Sequence, residues 1–154
     1  PGTVAPFPWH QDNGYTFVEP QAYLTCWIAL TDATVDNGCP MAVPGMHRAG
    51  TYHHELTDLG WVCLDDVPDP VAVEVAAGSI VVFSTLTPHC TGANVTTETR
   101  KAYIVQYAHD GAEVLRPGPA GAVGGEGSPD PARQFPVLGS GAAPPDAPAG
   151  WPDP

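Results

Sequence analysis

The sequence predicts an all-β domain of the sandwich or barrel kind, and three observations carry that reading. Short runs of alternating apolar and polar residues recur, Gly and Pro punctuate the gaps between them, and helical periodicity is almost absent. In 22–31, Leu24, Cys26, Ile28 and Leu30 fall on one side of an extended chain. Tyr23, Thr25, Trp27 and Ala29 fall on the other, a mixed polar and aromatic face suited to a wet pocket. Asp36-Asn37-Gly38 is a turn signal leading into a strand over 39–43, and Pro44-Gly45 punctuates again. Further strands are expected at 61–64, 71–75, 79–85 and 102–108, with Ala77-Gly78 turning the chain into the strand over 79–85. Only 50–59 reads as weakly helical.

The 154 residues fit one domain with enough chain for a core. Two compositional regions divide it. Residues 1–110 form the strand-rich core, and 111–154 form a Pro/Gly/Ala-rich tail, mostly irregular, that cannot bury enough apolar surface to offset its ordering entropy. Within the tail, Gln134-Phe135-Pro136-Val137-Leu138 is the stretch expected to dock on the body. The chain starts at Pro1, close to its most informative motif, and reads as an N-terminally truncated fragment.

Charge narrows the function. Five Lys+Arg against 17 Asp+Glu give −12, which argues against nucleic acid and anionic membranes as partners. Before the tail, only Arg48, Arg100 and Lys101 carry fixed positive charge. Cys26, Cys39, Cys63 and Cys90 lack metal or disulfide spacing and read as reduced thiols of a cytoplasmic protein. No apolar run reaches the ~18 residues of a membrane span, and no signal peptide is recognisable.

The chemistry concentrates in Trp9-His10-Gln11-Asp12, His89 and Arg100. Two imidazoles and one carboxylate hold non-haem Fe(II) on one face and leave the other open to O₂ and substrates. Side chains at i and i+2 of a strand point the same way, so His10 and Asp12 can share a metal while Gln11 turns aside. His89 must then arrive from another strand. Arg100 offers two parallel donors to the distal carboxylate of a keto acid, and the small Ala102 beside it leaves room for one.

These segments resemble the phytanoyl-CoA dioxygenase family of Fe(II)/2-oxoglutarate oxygenases. The resemblance runs from Trp9-His10-Gln11-Asp12 through Thr25-Cys26-Trp27, Asn37-Gly38-Cys39, Val43-Pro44-Gly45-Met46-His47 and Ala77-Gly78-Ser79. It ends in Pro88-His89-Cys90-Thr91-Gly92-Ala93-Asn94 and Arg100-Lys101-Ala102, with the family's step of eleven positions between His89 and Arg100. It implies a double-stranded β-helix (a cupin-like jelly roll) in which His10, Asp12 and His89 bind iron and Arg100 pairs with 2-oxoglutarate. Gln11, Trp27 and Thr91 align with positions that help bind the cosubstrate; for Gln11, orienting a metal ligand is the competing role. Family members that halogenate carbon replace the carboxylate, so Asp12 favours hydroxylation, with O₂ as the second cosubstrate and a small molecule as the substrate. Family members also carry a long N-terminal portion before His-x-Asp that this chain lacks.

Two other readings stay open at this point. One is a cupin-like β-roll that isomerises or hydrolyses with Zn or Mn and has no need of Arg100. The other is a catalytically incomplete fragment. Among the remaining residues, His47 reads as a turn histidine, His53 and His54 as solvent-facing, and His109 as a strand-end residue without a partner. Tyr15 and Phe17 serve either as pocket lining or as core.

Overall fold

The computed structural model describes residues 5–21 and 23–115; the Gln134–Leu138 stretch and the expected tail beyond residue 115 lie outside them. Two antiparallel sheets carry the fold. The first orders β1 (Phe7–His10), β9 (His89–Thr91), β4 (Pro40–Ala42) and β7 (Val71–Ala72) side by side. The second orders β10 (Ala102–Tyr107), β3 (Leu24–Ala29) and β8 (Ile80–Ser84). A hairpin of β5 (Glu55–Thr57) and β6 (Gly60–Val62) lies against β1, where the Cys63 N–H donates to the Trp9 carbonyl at 2.9 Å. The remaining pair is β2 (Phe17–Glu19) with β11 (Glu113–Leu115), so strand pairing continues past position 110. This is the all-β jelly-roll architecture expected of the sequence.

Side chains from both sheets meet in one core. Trp27 and Ala29 of β3, with Val81, Phe83 and Ala102 from its neighbours, pack with Ala33, Cys39, Ala72 and Val75. The alternation of β3 is therefore resolved in favour of its mixed face: Tyr23, Thr25, Trp27 and Ala29 are buried, while Leu24 and Leu30 are exposed. The outward rows of this sheet stay apolar, with Ile80 57% and Tyr103 60% exposed. The turn before β4 needs its glycine. Gly38 sits at φ +78°, and a Cβ there would come within 2.4 Å of the Gly92 carbonyl oxygen.

Two local expectations are corrected. Residues 50–59 are not helical: β5 and the turn into β6 occupy the second half of that stretch, because cross-strand pairing outweighs a weak local propensity. His54 is not solvent-facing either. It is half-buried and packs against Gly14, where a Cβ would meet the imidazole at 2.3 Å, whereas His53 is exposed. All four cysteines are free thiols. Among the described residues, no helix is long and apolar enough to cross a membrane.

Candidate metal and cosubstrate site

His10 ends β1 and pairs in register with His89 of β9, so two neighbouring strands deliver the imidazoles side by side, with ring centroids 4.2 Å apart. Asp12 arrives differently from the expectation of one continuous strand. The strand stops at His10, Gln11 stays extended at φ −114° and ψ 141°, and Asp12 opens a one-turn helix α1 (Asp12–Tyr15). One extended residue between them is enough to turn both side chains to the same side. A ligand atom from each of His10, Asp12 and His89 lies within 4.8 Å of the others.

The atoms that converge are specific. Asp12 Oδ1 lies 3.8 Å from His10 Nε2 and 3.7 Å from His89 Nε2, too far for hydrogen bonds. Each imidazole is turned by its own strand: His10 Nδ1 bonds the Pro8 carbonyl and His89 Nδ1 the Thr87 carbonyl, both at 2.9 Å. An Nδ1–H donated to a carbonyl leaves the Nε2 lone pair for a metal. Rings also wedge the imidazoles. Phe7 and Tyr15 meet His10 edge-on at 4.7 and 5.3 Å, and Phe83 lies 4.7 Å from His89. Burial, then the neighbouring His89, pulls the His10 pKa down from 6.5 to about 4, so His10 is neutral at physiological pH.

The remaining candidate residues lie on or beside the three-stranded sheet. Arg100, just before β10, places its guanidinium carbon 5.4 Å from the centroid of the buried Trp27 ring. Burial lowers the pKa of Arg100 from its ordinary value. Among the described residues, no carboxylate lies within salt-bridge distance of it. Beyond Arg100, Ala102, Ile104 and Gln106 pair with Ala29, Trp27 and Thr25. Thr91 stands two residues beyond His89 on β9, opposite Phe7 and Pro40.

Gln11 points elsewhere, as the alternation requires. Its side chain is fully buried, and its amide nitrogen donates to the Gly50 and Leu86 carbonyls at 2.9 and 2.5 Å. Its amide oxygen accepts from the Tyr52 N–H at 2.7 Å, and its own backbone N–H donates to His54 Nε2 at 3.0 Å. The residue between two of the candidate ligands is thus clamped by two segments, 50–54 and the turn at Leu86.

Sequence reasoning missed two groups here. Asn13, fully buried, donates to Thr51 Oγ1 at 2.8 Å and accepts from the Val18 N–H at 3.2 Å, holding α1 in place. Thr25 donates its hydroxyl to Asp12 Oδ2. In the sequence Thr25 stood on the mixed face of β3 and in the Thr25-Cys26-Trp27 segment of the resemblance, with no role assigned. Nothing local named its partner.

A family model described as phytanoyl-CoA dioxygenase (PhyH) matches residues 1–102. The chain belongs to the phytanoyl-CoA dioxygenase family. It is 33% identical over 109 residues to the phytanoyl-CoA dioxygenase of Arabidopsis thaliana, a match covering 66% of this chain and 37% of that protein. Among solved structures it resembles EvdO2 from Micromonospora carbonacea var. aurantiaca, complexed with 2-oxoglutarate, with TM-score 0.62 and 36% identity. That alignment covers 69% of this chain and 46% of EvdO2. It also resembles SnoN, the non-heme alpha ketoglutarate dependent epimerase from nogalamycin biosynthesis, with TM-score 0.60 and 28% identity over 77% of this chain and 44% of SnoN. The chain therefore spans less than half the length of each of these relatives.

Proposed function

We propose that the chain carries the metal and cosubstrate centre of an Fe(II)- and 2-oxoglutarate-dependent oxygenase acting on a C–H bond of a small molecule. The convergence of His10 Nε2, His89 Nε2 and Asp12 Oδ1 carries the reading. Two imidazole nitrogens and one carboxylate oxygen, gathered on one side, suit Fe(II) with its other positions left open. Iron and the keto acid, when bound, supply O₂ activation coupled to decarboxylation of 2-oxoglutarate to succinate.

The chain's own residues bind and orient. Arg100, half-buried on the Trp27 ring with no carboxylate partner among the described residues, is a cation waiting for an anion. It would grip the distal carboxylate of 2-oxoglutarate through two parallel hydrogen bonds. Trp27 would provide the flat wall behind it, and Thr91, two residues beyond His89 on β9, would help from the side of the metal ligands. Gln11 acts by locking the backbone between His10 and Asp12, since every polar atom of its amide is already spent on backbone partners. The carboxylate of Asp12 favours hydroxylation of the substrate carbon. SnoN, among the similar structures, is named as an epimerase rather than a hydroxylase.

Anaerobic Fe(II) titration with and without 2-oxoglutarate tests the proposal. A weak visible charge-transfer band should appear only when both are present. Tight metal binding with no response to 2-oxoglutarate would instead favour a β-roll isomerase or hydrolase.

A further inference from the structure

We infer that Thr25 is a positioning residue that restricts Asp12 to a single coordinating oxygen, and that Gln106 sets the direction of its hydroxyl. The inference rests on the function proposed above. Asp12 presents Oδ1 to both imidazoles, at 3.8 and 3.7 Å, while Oδ2 accepts the hydroxyl proton of Thr25. A hydroxyl has one proton to give and lone pairs to receive. Gln106 Nε2 donates to Thr25 Oγ1 at 3.3 Å, which leaves the Thr25 proton for the carboxylate. The relay is built into the sheet: Gln106 and Thr25 are register partners on β10 and β3, and Thr25 is 2% exposed.

The consequence concerns how many metal positions the protein occupies. An untethered carboxylate can turn both oxygens to one cation. A tethered one offers a single oxygen, and together with two imidazoles it takes three positions. A keto acid that chelates through two atoms, plus O₂, needs the remaining three. By tying down Oδ2, Thr25 keeps one of those positions free for the cosubstrate. Arg100 attracts 2-oxoglutarate from one end, and Thr25 keeps its other end from being displaced by the protein's own carboxylate.

The test compares anaerobic Fe(II) and 2-oxoglutarate dissociation constants, with the visible band, in the intact protein and its Thr25→Val, Thr25→Ser and Gln106→Met variants. Val matches Thr in shape and suits a buried strand. Thr25→Val should keep its iron affinity but bind 2-oxoglutarate about tenfold more weakly or worse, the scale on which partners of metal ligands act, with a diminished band. Thr25→Ser, which keeps the hydroxyl, should restore both. Gln106 is exposed, so Gln106→Met leaves the core untouched and should weaken 2-oxoglutarate in the same direction by a smaller factor, even if Thr25→Val fails to fold. Equal 2-oxoglutarate constants in wild type and the Thr25→Val or Gln106→Met variant would overturn the inference. So would parallel loss of iron and 2-oxoglutarate that Ser does not rescue. A wild type that binds iron but gives no band with 2-oxoglutarate would overturn the proposed function itself, and this inference with it.

Discussion

The two sheets divide the site unequally. The four-stranded sheet holds His10 and His89 by short-range devices: each imidazole bonds a carbonyl two residues back on its own chain, and the two residues face each other across β1 and β9 beyond a register shift in β1. The three-stranded sheet contributes Arg100, Trp27, Thr25 and Gln106, whose arrangement depends on strands far apart in sequence, as in the pairing of Gln106 with Thr25. Under the proposed function, the contrast teaches that metal affinity and cosubstrate affinity should be separable. One rests on local backbone geometry and the other on the pairing of β10 with β3.

The largest effect should come from the metal side. His10→Ala or His89→Ala removes one of three ligands and should abolish tight Fe(II) binding in calorimetry, with or without 2-oxoglutarate. Unchanged iron affinity in both variants would break the comparison outright.

On the other sheet, Arg100→Lys replaces a fork of donors by a compact charge. Losing one charge-assisted hydrogen bond costs about 1.5–3 kcal/mol, roughly ten- to a hundred-fold in 2-oxoglutarate affinity. Arg100→Ala should cost more, because this acidic chain offers the carboxylate little other positive charge. Iron affinity measured without cosubstrate should not move in either variant. A parallel loss of iron would show that the two sheets are not independent.

Between these lies the Gln11 clamp, which touches neither ligand atom nor Arg100. His54→Ala takes the acceptor from the Gln11 N–H. Leaving a buried donor unmade costs about 1–3 kcal/mol, to be read as a lowered denaturation midpoint. Gln11→Leu strips partners from Gly50, Leu86 and Tyr52 together and should cost at least as much.

A further effect is with pH. The pKa of His10 lies at about 4 in the folded chain against 6.5 unfolded, so the unfolded state takes up the proton first. Stability from this group is present above pH 6.5 and is lost as pH falls toward about 4. His54, lowered by burial, adds in the same direction. Thermal melts of chelator-treated protein should show a steeper acid-side decline than those of His10→Gln.

Much of this was legible in the residues. The strands at β3, β4, β6, β8 and β10 follow from alternation and turn residues, because period-two burial writes itself into sequence. β2, β5 and β11 carry no turn signal and no alternation that marks them, and emerge only through their partners. Local reading placed His53 and His54 alike in solvent. The loop that carries them runs past Gln11, and only that long-range approach separates the exposed imidazole from the half-buried one.

The sequence alone determined which side chains the candidate site offers. The His10-x-Asp12 spacing, His89 and the isolated cation Arg100 are choices of side chain, and side-chain chemistry survives without coordinates. Tertiary structure alone decided which atom of each does the work. Which imidazole nitrogen faces inward, which Asp12 oxygen is tied by Thr25, and what ring lies under Arg100 depend on strand register between segments dozens of residues apart. Register is fixed by the packing of whole faces against each other, and no single stretch of chain contains that information.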